Sequence, residues 1–319
     1  MDKERIFGGK QQMELIKKIF SKIKSYGVKK CFSILLGKVE TPFVPYLHNL
    51  KWRYYSQKEG YKGVNEIYDN NPLVVSLTSY PKRIQEISTT IESLLMQKMK
   101  PNKLILWLAY DQFPNKENDL PENIIRLKKY GLEIKWCEDF RSYKKLIPTL
   151  KMFPDAVIIT TDDDMYYHRQ MVSRLYEAYR KDPKHIHCHR ATKYIWTGEH
   201  FKTVSGGYDT YSYPSFKHKL TGCSGVLYPP NSLYQDVCKD ELFMKLAPTN
   251  DDLWFWLMGV LNDTKINVVN NNLATLWFVG SSQDDALNYV NDMGKNLLIE
   301  QRNNIFDYYK GLKEKVISD

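Results

Sequence analysis

Residues 156–164 read AVIITTDDD, an apolar, β-branched run that ends in three consecutive carboxylates, Asp162, Asp163 and Asp164. A short continuous apolar run of this kind is a strand covered on both faces. Adjacent like charges repel, so three aspartates at a strand end call for a positive charge. Side chains alternate along an extended chain, which sends Asp162 and Asp164 one way and Asp163 the other. Two carboxylates so placed suit a hard divalent cation, Mg²⁺ or Mn²⁺, whose other positions go to phosphate oxygens and water. An acidic cap on the following helix needs one such group, not three.

Working outward, the same strand type recurs. Leu73–Thr78 (LVVSLT), Lys103–Ala109 (KLILWLA), Leu132–Cys137 (LEIKWC) and Ile186–Cys188 read as strands. Helical patterns separate them at 84–95, 121–130, 144–152 and 169–181, with Asn70-Asn71-Pro72 as the opening turn. Alternating strands and helices predict an α/β fold, a mostly parallel central sheet with helices on both faces. Ligands of such sheets bind beyond the carboxyl ends of the strands. Thr78, Ser79, Asp111, Glu138, Asp139 and the three aspartates stand there. After residue 190 the alternation fades into aromatic and Gly-rich stretches, then a helix at 252–260, a strand at 265–269 and a helical C-terminal extension.

The chain has 319 residues and a formal net charge of +9. Residues 1–70 carry 14 Lys/Arg against 7 Asp/Glu, so most of the excess is N-terminal. Met13, Ile16, Ile19, Phe20 and Ile23 recur at helical spacing among lysines, and Val28, Cys31, Phe32, Leu35 and Leu36 resume the pattern. A basic amphipathic helix of this sort lies on an anionic membrane or docks on the protein body. Charge confined to one end does not point to nucleic acid. Five cysteines without CxxC spacing indicate neither zinc nor redox chemistry. With no apolar run of spanning length, a cytoplasmic protein at the inner membrane face is expected.

Four segments in order, VVSLTSYPKRI (74–84), DFRSYKKLIPTLKMFPDAVIITTDDDMYY (139–167), GCSGVLYPP (222–230) and APTNDDLWFW (247–256), resemble the GT-A glycosyltransferases of bacterial surface-polysaccharide synthesis (capsular or O-antigen type). The resemblance covers roughly residues 72–260. It implies a Rossmann-like GT-A domain over 71–280, with a nucleotide-sugar half (71–190) and an acceptor half (191–280), flanked by extensions at 1–70 and 281–319. It also implies a nucleotide-sugar donor, a UDP-sugar, a divalent metal (Mn²⁺ or Mg²⁺) at Asp162 and Asp164, and transfer to a glycan or lipid-linked glycan hydroxyl.

Carried over residue by residue, the resemblance puts Ser76, Thr78, Ser79 and Arg83 in the loop that holds the nucleotide. Asp139 goes near the base or ribose, Lys145 near the phosphates, and Asp162 and Asp163 beside the donor. Phe140-Arg141-Ser142 departs from the Gly-Pro usual in the family, and no histidine follows His218 to complete a metal shell. Gly222, Ser224 and Gly225 either let backbone N–H groups approach a ligand or make a tight turn. Asp251 and Asp252 match the acidic pair on the acceptor side, Asp252 as the base that takes the hydroxyl proton, with inversion of the sugar; N-capping by Asn250 or Asp251 is the plainer alternative. Trp254, Trp256 and Trp196 read as core, and His185, His187 and His189 as the polar face of a strand rather than zinc ligands.

Two other classes compete. A metal-dependent phosphoesterase could use the aspartates, but the haloacid-dehalogenase pattern wants Thr or Val where Tyr166 stands, and on the first strand. A non-catalytic binder of anionic polymer would follow from net charge, which here sits at one end.

Overall fold

The computed structural model describes residues 41–65, 71–204, 211, 213–269, 276–280 and 297–319. The expected amphipathic segments at 13–23 and 28–38 lie outside these residues. The described chain runs α1 (Val44–Ser56), β1 (Leu73–Thr78), α2 (Ile87–Leu95), β2 (Lys103–Ala109), α3 (Glu122–Ile125), β3 (Leu132–Cys137), α4 (Ile147–Met152) and β4 (Val157–Thr160). It continues with α5 (Met171–Lys181), β5 (Ile186–Cys188), β6 (Ala191–Trp196), β7 (Phe201–Val204), β8 (His218–Leu220), β9 (Val226–Tyr228), α6 (Asp240–Leu246), α7 (Asp251–Leu261) and β10 (Ile266–Val268), then α8 (Leu297–Tyr308) and α9 (Leu312–Ser318).

Seven strands form the central sheet in the order β10-β5-β9-β4-β1-β2-β3. β1 pairs in parallel with both β2 and β4, and β9 runs antiparallel between β4 and β5. The fold is therefore α/β with a mostly parallel sheet, as the alternating pattern predicts. Strand residues divide by parity. Val74, Ile105, Trp107 and Ile158 face a core shared with α4, α6, α7 and the C-terminal helices. Leu73, Val75, Leu77, Leu104, Leu106, Val157 and Ile159 face the opposite core, shared with α2, α3 and α5. Both sheet faces are covered, which is why these strands are apolar throughout instead of alternating.

Departures from the expected elements have local causes. The helix expected over 121–130 is four α-helical residues followed by a 3-10 turn, Arg126–Tyr130, that ends at Gly131 with φ +110°. The one expected over 144–152 is likewise split, a 3-10 turn at Arg141–Lys145 preceding α4, whose first turn holds Pro148. Beyond residue 190, β6, β7 and β8 make a second, antiparallel sheet where only loops were expected. β7 and β8 are four and three residues long, too short to show a period. Among the described residues no helix is long and apolar enough to cross a membrane.

Trp254 and Trp256 of α7 are fully buried, and their indole N–H groups donate to the Val237 and Phe216 carbonyls at 3.1 and 2.8 Å. They are core residues, as expected, and no sugar platform. Trp254→Ala is expected to cost about 3–5 kcal/mol in denaturant unfolding, whereas Trp254→Phe keeps most of the packing and recovers more than half of that loss.

Candidate active site

β1 and β4 are neighbours, with Ser76 opposite Thr160, and the Thr161 N–H donates to the Ser76 carbonyl at 3.0 Å. Their chains therefore leave the sheet side by side, and this delivers Ser79 to the aspartate run. The Ser79 hydroxyl donates to Asp163 Oδ2 at 2.6 Å. Arg83 Nη1 donates to Asp163 Oδ1 at 2.8 Å and to Asp164 Oδ2 at 3.2 Å. Burial pushes Arg83 down, but Asp163 and Asp164 more than offset it, and its pKa is raised.

The strict alternation expected of the three aspartates does not carry past Thr160, where β4 ends. Asp163 and Asp164 share one guanidinium, while Asp162 Oδ1 accepts from Lys145 Nζ at 2.8 Å. The reason is that the backbone bends as soon as the ladder stops and is pinned elsewhere. Thr90 of α2 donates to the Asp163 carbonyl at 2.9 Å, the Asp162 N–H donates to the Tyr167 hydroxyl at 2.8 Å, and the Val279 N–H donates to the Asp164 carbonyl at 2.8 Å.

Lys145 comes from the turn before α4 and is buried. Besides Asp162, its ammonium lies 2.9 Å from Asp251 Oδ2 and 3.8 Å from Asp252 Oδ1. Burial alone would lower its pKa; the charges of Asp162, Asp251 and Asp252 override that and raise it well above the ordinary value. Asn250 caps α7, its side chain accepting from the Leu253 N–H at 3.0 Å. The cap leaves both following aspartates for other contacts. Asp251 accepts from the Ser142 hydroxyl at 2.9 Å, and Asp252 Oδ2 from the Gly222 N–H at 2.9 Å.

Gly222 is where a side chain would not fit. A Cβ there would stand 2.9 Å from Asp252 Oδ1, 2.9 Å from Lys145 Nζ and 3.5 Å from Asp162 Oδ1. Gly225, at φ +92°, turns the chain into β9, and a Cβ on it would meet Met171 Sδ at 2.8 Å. Gly225 makes the tight turn, and the Gly222 N–H is taken up by Asp252. Ser224 is buried between them.

Lys145, Asp162, Asp251, Asp252 and Gly222 therefore meet at one point, and Ser79, Arg83, Asp163 and Asp164 at a second beside it. Three other residues singled out in the sequence lie apart. Ser76 is fully buried and shares its hydroxyl with Thr149, 2.8 Å away, on the core side of β1. The Thr78 hydroxyl donates to the Trp107 carbonyl at 2.8 Å. Asp139 binds its own turn, accepting from the Arg141 N–H at 2.9 Å, from Gln112 at 2.7 Å, and from the buried Lys144. His187 and His189 are buried, bonded to the Asp182 and Met171 carbonyls, with pKa values pushed down to about 4 by burial. Thr90, Ser142 and Tyr167 support the site and were not singled out; only Ser142, in the segment that departs from Gly-Pro, carried any signal.

Charge is unbalanced here. Among the described residues, five carboxylates, Asp162, Asp163, Asp164, Asp251 and Asp252, make ion pairs with two basic side chains, Arg83 and Lys145. Burial, with the charges of Asp162 and Asp163, raises Asp164 to about 7. Burial, with the charge of Asp251 and against Lys145, raises Asp252 to about 6. Among the described residues no three His, Cys, Asp or Glu side chains are grouped to hold a metal ion. A hard cation bound by one or two carboxylates and by substrate phosphates needs no such cage. The donor type and the surplus negative charge fit that kind of ion.

No family model and no curated protein matches the chain. Solved structures overlap it in part. The mannosyltransferase PcManGT from Pyrobaculum calidifontis, in complex with GDP-Man and Mn²⁺, is 10% identical, with 88% of this chain and 76% of that chain covered and a TM-score of 0.47. S. aureus TarS 1–349 is 14% identical, covering 75% and 73%, with a TM-score of 0.39. The same S. aureus protein in complex with UDP is 12% identical, covering 76% and 68%, with a TM-score of 0.43.

Asp164 and Asp252 hold their protons more tightly folded than unfolded, where the ordinary value is 3.8. Their contribution is therefore most favourable below that value and is lost as pH rises through about 6 and 7. The buried His187 and His189 titrate with the opposite sign, so the test is a difference: in excess chelator the melting temperature of the unaltered chain relative to that of Asp164→Asn is expected to fall from pH 5 to pH 8.

Proposed function

We propose that the chain is a GT-A glycosyltransferase that moves a sugar from a nucleotide-diphosphate sugar, a UDP-sugar, to a hydroxyl of a glycan. The observation that carries this is the meeting of Lys145, Asp162, Asp252 and the bare Gly222 backbone at the open end of β1 and β4. It joins a cation, surplus carboxylate and a carboxylate tuned toward neutral pH at the edge where α/β sheets bind ligands. Residues 71–190 then form the donor half and 191–280 the acceptor half, with 1–70 and 281–319 as extensions.

Asp162 and Asp164 are the residues that would hold Mn²⁺ or Mg²⁺. Such an ion, when bound, supplies charge neutralisation to a departing diphosphate. Arg83 and Lys145 are long basic side chains already at the edge, and each can transfer hydrogen bonds from a carboxylate to phosphate oxygens. Asp163, bonded to both Ser79 and Arg83, orients the guanidinium. Asp251 and Ser142 do the same for Lys145.

Asp252 takes the proton of the acceptor hydroxyl. The oxygen then bonds to the anomeric carbon as the bond from that carbon to the diphosphate breaks, releasing the nucleoside diphosphate. A pKa raised to about 6 leaves Asp252 ionised at neutral pH yet basic enough to accept the proton. The Gly222 N–H fixes one of its oxygens and so aims the other. A single base facing the acceptor is the arrangement that inversion at the anomeric carbon requires. The acceptor is a lipid-linked surface glycan, and the enzyme works at the inner face of the cell membrane; the support for both is the basic N-terminal sequence.

Nucleoside diphosphate release from a panel of nucleotide-sugars, with and without Mn²⁺ or Mg²⁺, tests the assignment. Asp252→Asn is expected to lower kcat by about 10²–10⁴-fold with the fold intact. Full turnover in excess chelator, or hydrolysis of simple phosphomonoesters with no nucleotide-sugar activity, would sink it. Gly222→Ala, in turn, is expected to lower kcat at least tenfold and the melting temperature with it, because its methyl group enters the space between Asp252 and the buried Lys145.

A further inference from the structure

A cavity of about 560 Å³ lies behind the aspartate loop, between α1, the end of α2 and residues 166–170. Its volume is in the range of small-ligand pockets, roughly 300–1,000 Å³. His48, Lys51, Lys98, His168 and Arg169 line it, and among the described residues no carboxylate does. Arg169 is fixed in place: its Nε donates to the Met96 carbonyl at 3.1 Å and its guanidinium lies 5.1 Å from the Tyr55 ring centre. Lys51 and Lys98 are exposed. Burial, then the charges of Arg174, Lys51 and Arg169, lower the pKa of His168, so positive charge is concentrated at this wall.

The cavity opens beside an apolar row that is exposed among the described residues. α1 turns Val44 and His48 inward, His48 Nε2 lying 2.8 Å from Glu92 Oε2. Its outer side carries Phe43, Leu47, Leu50 and Tyr54, spaced by four, three and four residues and 59%, 41%, 48% and 60% exposed. Leu47 belongs to both, lining the cavity and continuing the row. An exposed apolar row of this kind marks an interaction surface. Residues 1–40, which lead into it, carry 10 Lys/Arg against 4 Asp/Glu.

We propose that this cavity binds the phosphate headgroup of an anionic membrane lipid while the outer row of α1 lies among the acyl chains. Cations at the mouth of a pocket, next to apolar side chains on one helix, match a ligand that is charged at one end and apolar at the other. A free phosphate would satisfy the lysines and leave Phe43, Leu47, Leu50 and Tyr54 in water, so the lipid is the occupant. The site is separate from the aspartates and does not rest on the proposed sugar transfer.

Co-sedimentation of the full chain with vesicles tests this, using phosphatidylcholine alone and phosphatidylcholine with phosphatidylglycerol at roughly three to one. Binding is expected to the anionic vesicles only. Lys51→Ala with Lys98→Ala should weaken it about thirtyfold, at roughly one charge's worth of surface attraction per lysine. Lys245→Ala with Lys310→Ala, exposed lysines around the helices of the other sheet face, controls for net charge and should weaken it less than threefold. Equal losses for the two pairs overturn the proposal, because residues 1–40 or overall charge would then account for binding. Protection of Lys51 and Lys98 by inorganic phosphate, with no binding to anionic vesicles, overturns it as well. Neither result bears on nucleotide-sugar turnover, so the two proposals fail separately.

Discussion

One ammonium organises the candidate site. Lys145 is removed from water, a costly state for a charge unless it is paired and hydrogen-bonded. Its partners come from two distant parts of the chain, Asp162 at the end of β4 and the Asp251–Asp252 pair at the start of α7. The lysine therefore joins the parallel-sheet half to the half built after residue 190. The acids depend on it in turn, since without that charge Asp162, Asp251 and Asp252 would face one another unpaired. Gly222 makes the arrangement geometrically possible by keeping its backbone within reach and leaving no side chain in the middle.

The same logic explains why the aspartate run is not a regular extension of β4. A ladder strand alternates its side chains because both neighbours hold its backbone. Past Thr160 the backbone is held instead by Thr90, Tyr167 and Val279. Each aspartate then turns to whichever cation is nearest. Asp162 goes to Lys145, and Asp163 and Asp164 go to Arg83. Burial first, and then the charges of neighbouring aspartates, raise the pKa values of Asp164 and Asp252. Surplus charge held in a partly dry site is a store of affinity for a cation.

Much of the fold was legible because covered strands are chemically conspicuous. LVVSLT, KLILWLA and AVIITT have no polar face, and only a sheet packed on both sides accounts for that. The antiparallel β9 and the small β6–β8 sheet were not legible as sheet partners. β7, β8 and β9, at three or four residues, carry no measurable period, and their pairing is decided by where the long elements leave room. In the site, Asp162 was found from residue type at a strand end, whereas Arg83, Lys145, Asp251 and Asp252 came from the resemblance of their segments. The resemblance also marked Ser76 and Asp139, yet the one hydroxyl turns to Thr149 in the core and the one carboxylate to its own turn.

By itself the sequence determined that strands and helices alternate, where the first strands lie, and that carboxylates collect at their carboxyl ends. Periodicity and residue chemistry are local properties, and they survive without coordinates. Tertiary structure alone decided which aspartates share a cation, that Gly222 rather than Gly225 borders the acids, and that His187 and His189 are buried, each with one ring nitrogen on a backbone carbonyl. Those outcomes depend on side chains as far apart in sequence as Lys145 and Asp252. Their distances are set by how the two halves pack, and no local pattern encodes that packing.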